Sequence, residues 1–204
     1  MKKLGFNIVL LGAPASGKET QANILKRKYA LKFVETGVYT RKFLKKKGPD
    51  GDWARRTAGK GKPLPTALMQ KFLIKEINGK PKNKDLLFLG GPRLKPEAQL
   101  VKKILNKANQ NFIVFYITLL DKEVYERSLK RKTDKKIKDI YKVFDTEKII
   151  KARLKYYDNQ VTKTVKYFKE LNKLKFINGN QPIPKVAEDI LKIIEEYKNL
   201  REKN

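Results

Sequence analysis

A glycine-rich loop between an apolar run and a predicted helix constrains this chain more than any other feature. Segment 12–18, GAPASGK, has two glycines separated by four residues and then a lysine. It follows the apolar run 5–11, GFNIVLL, and it opens a helix predicted over 17–30. In such a strand–loop–helix unit, backbone N–H groups and the helix N-terminus can hold phosphate groups. The segment therefore predicts an α/β fold with a phosphate-binding loop.

Apolar and amphipathic segments alternate along the rest of the 204 residues. Further buried strands are predicted over 32–36, 85–93, 111–119 and 174–179, and helices over 38–47, 53–58, 66–77, 96–109, 121–132, 146–172 and 183–203. GPDGD, residues 48–52, is a predicted turn. Alternating strands and helices are typical of a parallel sheet with helices on both faces. We therefore predict a three-layer, doubly wound sheet of five parallel strands, with ligands bound beyond the strands' carboxyl ends.

The composition narrows the possible chemistry. The chain has no cysteine and no histidine, which excludes disulfides, thiolate zinc sites and an imidazole base, and we expect no zinc. No run of about 18 apolar residues occurs, so we expect no membrane-spanning segment. A cytoplasmic location fits this composition best.

The chain is strongly basic, with 49 lysines and arginines against 21 acidic residues and a net charge of +28. Such a charge predicts polyanionic partners, such as nucleotides or nucleic acid. Nine of the basic residues are arginines and the other forty are lysines. The few arginines are the more informative group, because the rigid guanidinium fork suits phosphate.

Five further motifs follow the glycine-rich loop in order: ETGVYTR at 35–41, GKPLP at 61–65, GGPR at 90–93, RSLKR at 127–131 and DTEKIIKARL at 145–154. With GAPASGKETQ, they resemble motifs of the adenylate kinase family of nucleoside monophosphate kinases with a P-loop. The resemblance covers nearly the whole chain. It implies reversible phosphoryl transfer from ATP to AMP, giving two ADP, by a monomeric enzyme of nucleotide biosynthesis that uses Mg²⁺ with ATP.

The resemblance also implies a division of the single domain and a set of site residues. The core would comprise 1–35, 80–131 and 145–204, the monophosphate-binding flap 36–79, and a short lid 132–144. The catalytic residues would be Lys18, Arg93, Arg127, Arg131, Lys142 and Arg153. ATP would be bound by Gly12, Ala13, Pro14, Ala15, Ser16, Gly17, Lys18, Glu19, Thr20 and Arg127. AMP would be bound by Thr36, Gly37, Arg41, Lys62, Leu64, Gly90, Arg93 and Glu97.

The chain departs from the family pattern on the metal side of the phosphates. Two family aspartates are Val38 and Leu89 here, and two loop glycines are Ala15 and Glu19. We hypothesise that Glu19, in the slot after the lysine, binds Mg²⁺ directly or through water, since Mg²⁺ favours carboxylate oxygen. Three alternatives remain: a degraded site that binds nucleotides without efficient transfer, lysines that replace the charge of the metal, and a Glu19 that points to solvent.

Two further alternatives concern the substrate and the partner. The family's adenine-contacting glutamine is Glu97 here, and a carboxylate suits the adjacent donors of guanine. Because Thr36 matches the family's adenylate pattern, we favour AMP and keep GMP as the alternative. The basic segments 130–132 and 135–138 could bind nucleic acid, but we favour a lid that attracts nucleotides. KYY, residues 155–157, is interpreted as packing.

Overall fold

The core of the protein is a five-stranded, all-parallel sheet. The computed structural model describes residues 1–133 and 146–202. Its strands are β1 (Asn7–Gly12), β2 (Leu31–Glu35), β3 (Asp85–Leu89), β4 (Phe112–Thr118) and β5 (Leu174–Asn178). They lie in the order β2-β3-β1-β4-β5, so the strand before the glycine-rich loop is central. Each predicted strand is confirmed, with ends that differ by a few residues.

Helices connect the strands in chain order. They are α1 (Lys18–Lys28), α2 (Thr36–Lys45), α3 (Pro49–Thr57), α4 (Thr66–Asn78), α5 (Lys95–Lys107), α6 (Asp121–Thr133), α7 (Glu147–Tyr156), α8 (Thr162–Glu170) and α9 (Ile183–Glu202). A short 3₁₀ turn, Ala58–Lys60, follows α3, and a π-helical turn, Tyr157–Val161, joins α7 to α8. In the described part of the chain no helix is both long and apolar enough to cross a membrane.

The sheet separates two buried apolar cores. Side chains of a strand alternate between its faces, so Val9 and Leu11 of β1 join one core while Ile8 and Leu10 join the other. Helices α4, α5 and α8 cover the first core, and α1 and α9 cover the second. The predicted three-layer, doubly wound architecture is therefore confirmed.

The predicted turn at 48–52 is wrong, because this segment forms the first part of α3. Pro49 occupies the start of the helix, where its fixed φ and missing N–H cost nothing. Asp50 and Asp52 lie in the first turn, where negative charge favours the helix dipole. Residues typical of turns are thus also residues typical of a helix start.

The loops at the carboxyl end of the sheet form the candidate site, and Gly12 shows how tightly they pack. A Cβ on Gly12 would lie 2.5 Å from the backbone oxygen of Ile117 on β4, and its φ is +147°. Only glycine therefore fits at the point where β1 turns into the loop. Of the predicted lid 132–144, all but the first two residues lie outside the described residues, and so does Lys142.

Candidate active site

The glycine-rich loop connects β1 to α1 and surrounds the amino group of Lys18. The Nζ atom of Lys18 donates hydrogen bonds to the Ala13 carbonyl oxygen at 2.6 Å and to Ser16 Oγ at 3.2 Å. Gly17 has a left-handed backbone, with φ 83°, directly before the helix. The helix N-terminus and the lysine therefore present positive charge at one place, as an anion requires.

Lys18 carries its charge at a cost. Burial is the largest cause that lowers its pKa to about 7; the positive charges of Arg93, Arg153 and Arg131 act in the same direction, and Glu19 opposes them. The surface of the residue is half-buried, which makes the effect of burial smaller than for an enclosed lysine. The effect of the three arginines indicates that the ligand-free site holds an excess of positive charge. A phosphate group would offset this excess.

A cavity of about 420 Å³ lies beside the loop. All five arginines assigned from the family resemblance line this cavity together with Lys18: Arg41, Arg93, Arg127, Arg131 and Arg153. They come from α2, the β3–α5 loop, α6 and α7, which are well separated in sequence. The loop residues 14–20 and Gly37, Val38, Leu89 and Gly90 complete most of the wall. The structure thus brings together the residues that the sequence motifs singled out.

Hydrogen bonds fix the guanidinium groups of two arginines, and the periodicity of α6 places a third beside one of them. Arg93 Nε donates to the Gly90 carbonyl oxygen at 2.6 Å. Arg127 donates from Nε to Glu123 at 3.1 Å and from Nη1 to the Gly179 carbonyl oxygen at 3.2 Å. Arg131 lies one helical turn further along α6, so both arginines share a face of the helix. The positive charges of these arginines are therefore located at the wall of the first cavity.

A second, smaller cavity of about 70 Å³ adjoins the first. The two share Gly37, Arg41, Arg93, Arg153 and Tyr157. The remaining wall of the second cavity consists of Thr40, Ala58, Gly61, Lys62, Leu64 and Tyr156. Shared arginines therefore separate two compartments. A phosphate bound between them could belong to a ligand on either side.

Four of the predicted binding residues lie outside the walls of both cavities. Gly12 packs against Ile117 of β4, and the carbonyl oxygen of Ala13 accepts a hydrogen bond from Lys18. Thr36 is buried, and its Oγ1 donates to the Leu89 carbonyl oxygen at 3.2 Å. Glu97 is also buried, and its Oε2 accepts hydrogen bonds from the backbone N–H groups of Arg93 at 2.9 Å and Leu94 at 3.2 Å. Glu97 therefore caps α5 and fixes the backbone of Arg93.

Sequence reasoning did not assign several residues of the cavity walls to the site, among them Glu35, Lys130, Tyr156 and Tyr157. Glu35 ends β2, and the rule that ligands bind beyond the carboxyl ends of parallel strands could have identified it. Lys130 lies between two assigned arginines on α6. The tyrosines do pack together as predicted, with Val161, but they also face the cavities. No sequence signal indicated the π-helical turn that orients them.

The site offers little for a metal ion apart from two carboxylates. Val38 and Leu89, whose side chains are hydrocarbon, line the cavity together with two acidic residues, Glu19 and Glu35, of which Glu19 is exposed. Among the residues described, no three His, Cys, Asp or Glu side chains group closely enough to hold a metal by themselves. The residues present therefore fit an ion that also takes ligands from phosphate, as Mg²⁺ commonly does.

Comparisons with known proteins agree with this geometry. A family model described as adenylate kinase matches residues 10–173. An adenylate kinase of Bacteroides fragilis is 32% identical over 190 residues, which cover 93% of this chain and 98% of that protein. The adenylate kinase of Bacteroides thetaiotaomicron is 31% identical over 191 residues, 94% of this chain and 99% of its own length. That of Fusobacterium nucleatum is 28% identical over 209 residues, again 94% and 99%.

Proposed function

The chain belongs to the adenylate kinase family, and we propose that it transfers the terminal phosphate of ATP to AMP, giving two ADP. Membership makes it a nucleoside monophosphate kinase, a phosphotransferase whose substrates are nucleotides. The choice of AMP as the acceptor is the proposal. One observation supports the transfer between two nucleotides most strongly: five arginines from four separate elements meet Lys18 at a single cavity with an adjoining second compartment.

The proposed binding mode follows from the charges. The triphosphate lies in the loop 12–18, where backbone N–H groups and Lys18 hold its outer phosphates. The monophosphate extends into the second cavity, with its phosphate between Arg41 and Arg93. This arrangement directs the two phosphate ends at each other, as in-line transfer requires.

Electrostatic stabilisation supplies the rest of the catalysis. In phosphoryl transfer, charge is spread over the equatorial oxygens of the moving group. Arg127, Arg131 and Arg153 would face those oxygens without moving, since they already line the cavity. Fixed positive groups of this kind need no reorganisation during the reaction. We propose that the flap 36–79 and the lid 132–144 close to exclude water, so that ATP is not hydrolysed.

We propose that Mg²⁺ accompanies ATP and that Glu19 and Glu35 hold it, directly or through its water shell. When bound, the ion neutralises charge on the phosphates. Both carboxylates line the same cavity as Val38 and Leu89, the positions of the two missing family aspartates. Glu19→Gln and Glu35→Gln keep the shape of each side chain and remove its charge. We expect each to weaken the Mg²⁺ dependence of turnover and the binding of Mg²⁺–ATP, measured by titration calorimetry; unchanged values would remove the carboxylate from this role.

The direct test is ADP formation from ATP and a panel of monophosphates, with and without Mg²⁺. We expect AMP to be the preferred acceptor and turnover to require Mg²⁺. Lys18→Met should lower kcat by at least about a hundredfold, because one preorganised charge at the transition state is removed. A faster reaction with GMP would replace AMP in the proposal. Nucleotide binding without turnover would support the weakly catalytic relative instead.

Two further features extend the proposal. We propose a monomer, because residues of one chain complete both cavities. We also propose a cytoplasmic location, which suits a cysteine-free chain with nucleotide substrates. Analytical ultracentrifugation and cell fractionation test these two statements separately.

A further inference from the structure

The hydroxyl group of Tyr156 is buried without a partner. Tyr156 ends α7 and is only 9% exposed. Within residues 1–133 and 146–202, its hydroxyl oxygen finds no hydrogen-bond partner, although almost every buried polar atom in a folded protein has one. A buried hydroxyl in this condition costs stability, which phenylalanine at the same position would avoid.

Tyr156 lines the second cavity and does not line the first. The cavity is bounded by arginines shared with the phosphate compartment and by the apolar side chains of Ala58 and Leu64. Burial raises the pKa of the Tyr156 hydroxyl; Arg93 opposes this shift and the carboxylate of Glu97 adds to it. The group therefore stays protonated at neutral pH and is available as a donor. The hydroxyl itself is covered in the ligand-free chain, so one residue that lines this cavity carries a hydrogen-bond donor that no described residue uses.

A π-helical turn directly follows this tyrosine, which is the last residue of α7. Here the wider turn begins at Tyr157, and both tyrosines line the same cavity with ring centroids 5.9 Å apart at 86°. Single π-helical turns are rare and frequently lie at functional sites.

We propose that Tyr156 recognises the base of the bound nucleoside monophosphate, with its hydroxyl donating a hydrogen bond to an acceptor atom on the edge of the ring. The proposal rests on the proposed function, which puts a monophosphate in this compartment. With the phosphate between Arg41 and Arg93, the base is the part of the ligand that extends toward Ala58, Leu64 and Tyr156. A flat heterocycle with acceptors on its edge matches an apolar wall that carries one donor.

The test is Tyr156→Phe, which removes the hydroxyl and keeps the ring. Binding of AMP and of GMP is measured by calorimetry without ATP, so that no turnover is needed. We expect binding of the preferred monophosphate to weaken roughly fivefold to tenfold, the loss of about one neutral hydrogen bond. Binding of ribose 5-phosphate, which has the phosphate and no base, should not change. In turnover, KM for the monophosphate should rise while kcat and KM for ATP stay constant.

The ligand-free variant supplies a second readout. Because the hydroxyl has no partner in the described structure, Tyr156→Phe should keep or raise the melting temperature. Tyr29→Phe is the matched control, since its hydroxyl bonds to Glu195 Oε1 at 3.1 Å and Tyr29 does not line either cavity. It should lower the melting temperature slightly and leave nucleotide binding unchanged.

Three outcomes would overturn the proposal. If the wild type and Tyr156→Phe bind AMP equally tightly and also bind GMP equally tightly, this proposal is overturned and the proposed function is not. A lower melting temperature of ligand-free Tyr156→Phe would have the same consequence. An equal loss of ribose 5-phosphate binding would also overturn it, because the hydroxyl would then act on the phosphate or through the backbone. A wild-type chain that binds no monophosphate would overturn the proposed function as well.

Discussion

Lys18 shows how a single residue prepares a site for an anion. Its amino group donates hydrogen bonds to oxygens of the loop itself, while burial and the charges of three arginines disfavour its protonated form. The folded protein therefore holds this lysine in a state that it would prefer to neutralise. Such a group is stabilised as soon as phosphate arrives, so ligand binding relieves a cost already present in the fold.

This cost predicts a pH dependence of stability. The Lys18 pKa is about 7 in the folded chain and 10.5 in the unfolded one, so between these values the unfolded state binds more protons. The penalty is complete below pH 7 and is relieved as the pH rises toward 10.5. Ligand-free wild type should therefore gain stability relative to Lys18→Met between pH 6.5 and 9 in urea unfolding. A difference that is constant over this range would contradict the prediction.

Ala15 predicts a stabilising substitution in the loop. Its φ of 56° is left-handed, a conformation that costs an alanine about 1 kcal/mol or more. Ala15→Gly should raise the free energy of unfolding by about 1 kcal/mol, reduced by the greater chain entropy of glycine. Ala13→Gly, at a buried position that is not left-handed, should lower it. Denaturant unfolding of the two variants measures the contrast; the same sign for both would refute it.

Single residues also show the limits of sequence reasoning. The arginines of the site could be predicted because each belongs to a motif with fixed spacing. Glu35 opens the motif ETGVYTR, but the resemblance gives it no role, and its place on the cavity wall depends on where β2 ends. Glu97 has a motif, yet in the ligand-free chain its carboxylate caps α5. A side chain at a binding position can thus take a local hydrogen bond that the sequence does not reveal.

Among the elements, the segment before α4 brings the predicted flap 36–79 close to α7. Gly61 has a φ of +80°, and a Cβ there would lie 3.1 Å from Ala152 Cβ and 3.2 Å from the Ile149 oxygen on α7. The backbone of the flap therefore lies directly against α7, the helix that carries Arg153 and Tyr156. This approach closes the second cavity on one side.

Gly61→Ala should separate these elements. The substitution adds a left-handed strain and a contact closer than ordinary packing, so we expect a loss of about 1–2 kcal/mol of stability. KM for the monophosphate should rise more than KM for ATP. Gly59→Ala is the control, since its Cβ would meet only Leu44 at an ordinary 3.7 Å. Steady-state kinetics and thermal unfolding of both variants decide, and equal effects of the two would contradict the argument.

Elements were predictable where a hydrophobic period was long. The parallel strands and the amphipathic helices α4 and α9 follow from runs of apolar residues at regular spacing. The start of α3 was not, because proline, glycine and aspartate favour both turns and helix starts. The π-helical turn is only five residues long, so a pattern of residues cannot distinguish it from continuous helix.

At the scale of the whole molecule, charge dominates. A net charge of +28 on 204 residues opposes compaction by self-repulsion, and few of the described lysines line the two cavities. Added salt should therefore stabilise the fold in general, and polyphosphate should stabilise it specifically. The two effects can be separated because only the second needs the loop.

We expect tripolyphosphate to raise the melting temperature well above the value in sodium chloride of equal ionic strength. At a concentration a hundredfold above its dissociation constant, the extra shift should be about 5–10 °C. Lys18→Met should lose most of this extra shift and keep the general effect of salt. Thermal unfolding by circular dichroism measures both. An equal response in the two proteins would show that the anion acts on the surface lysines alone.

The π-helical turn has one more consequence. It resets the rotational phase of a helical segment that otherwise runs from 147 to 170, so the half before it is aligned to the ligand and the half after it to the interior, where Thr164 and Phe168 are fully covered. Residues can therefore be substituted in one half without changing the directions of the side chains in the other half. Deleting one residue between 157 and 161 would remove this independence. Either the residues that contact the ligand or the residues packed in the interior would then point in the wrong direction.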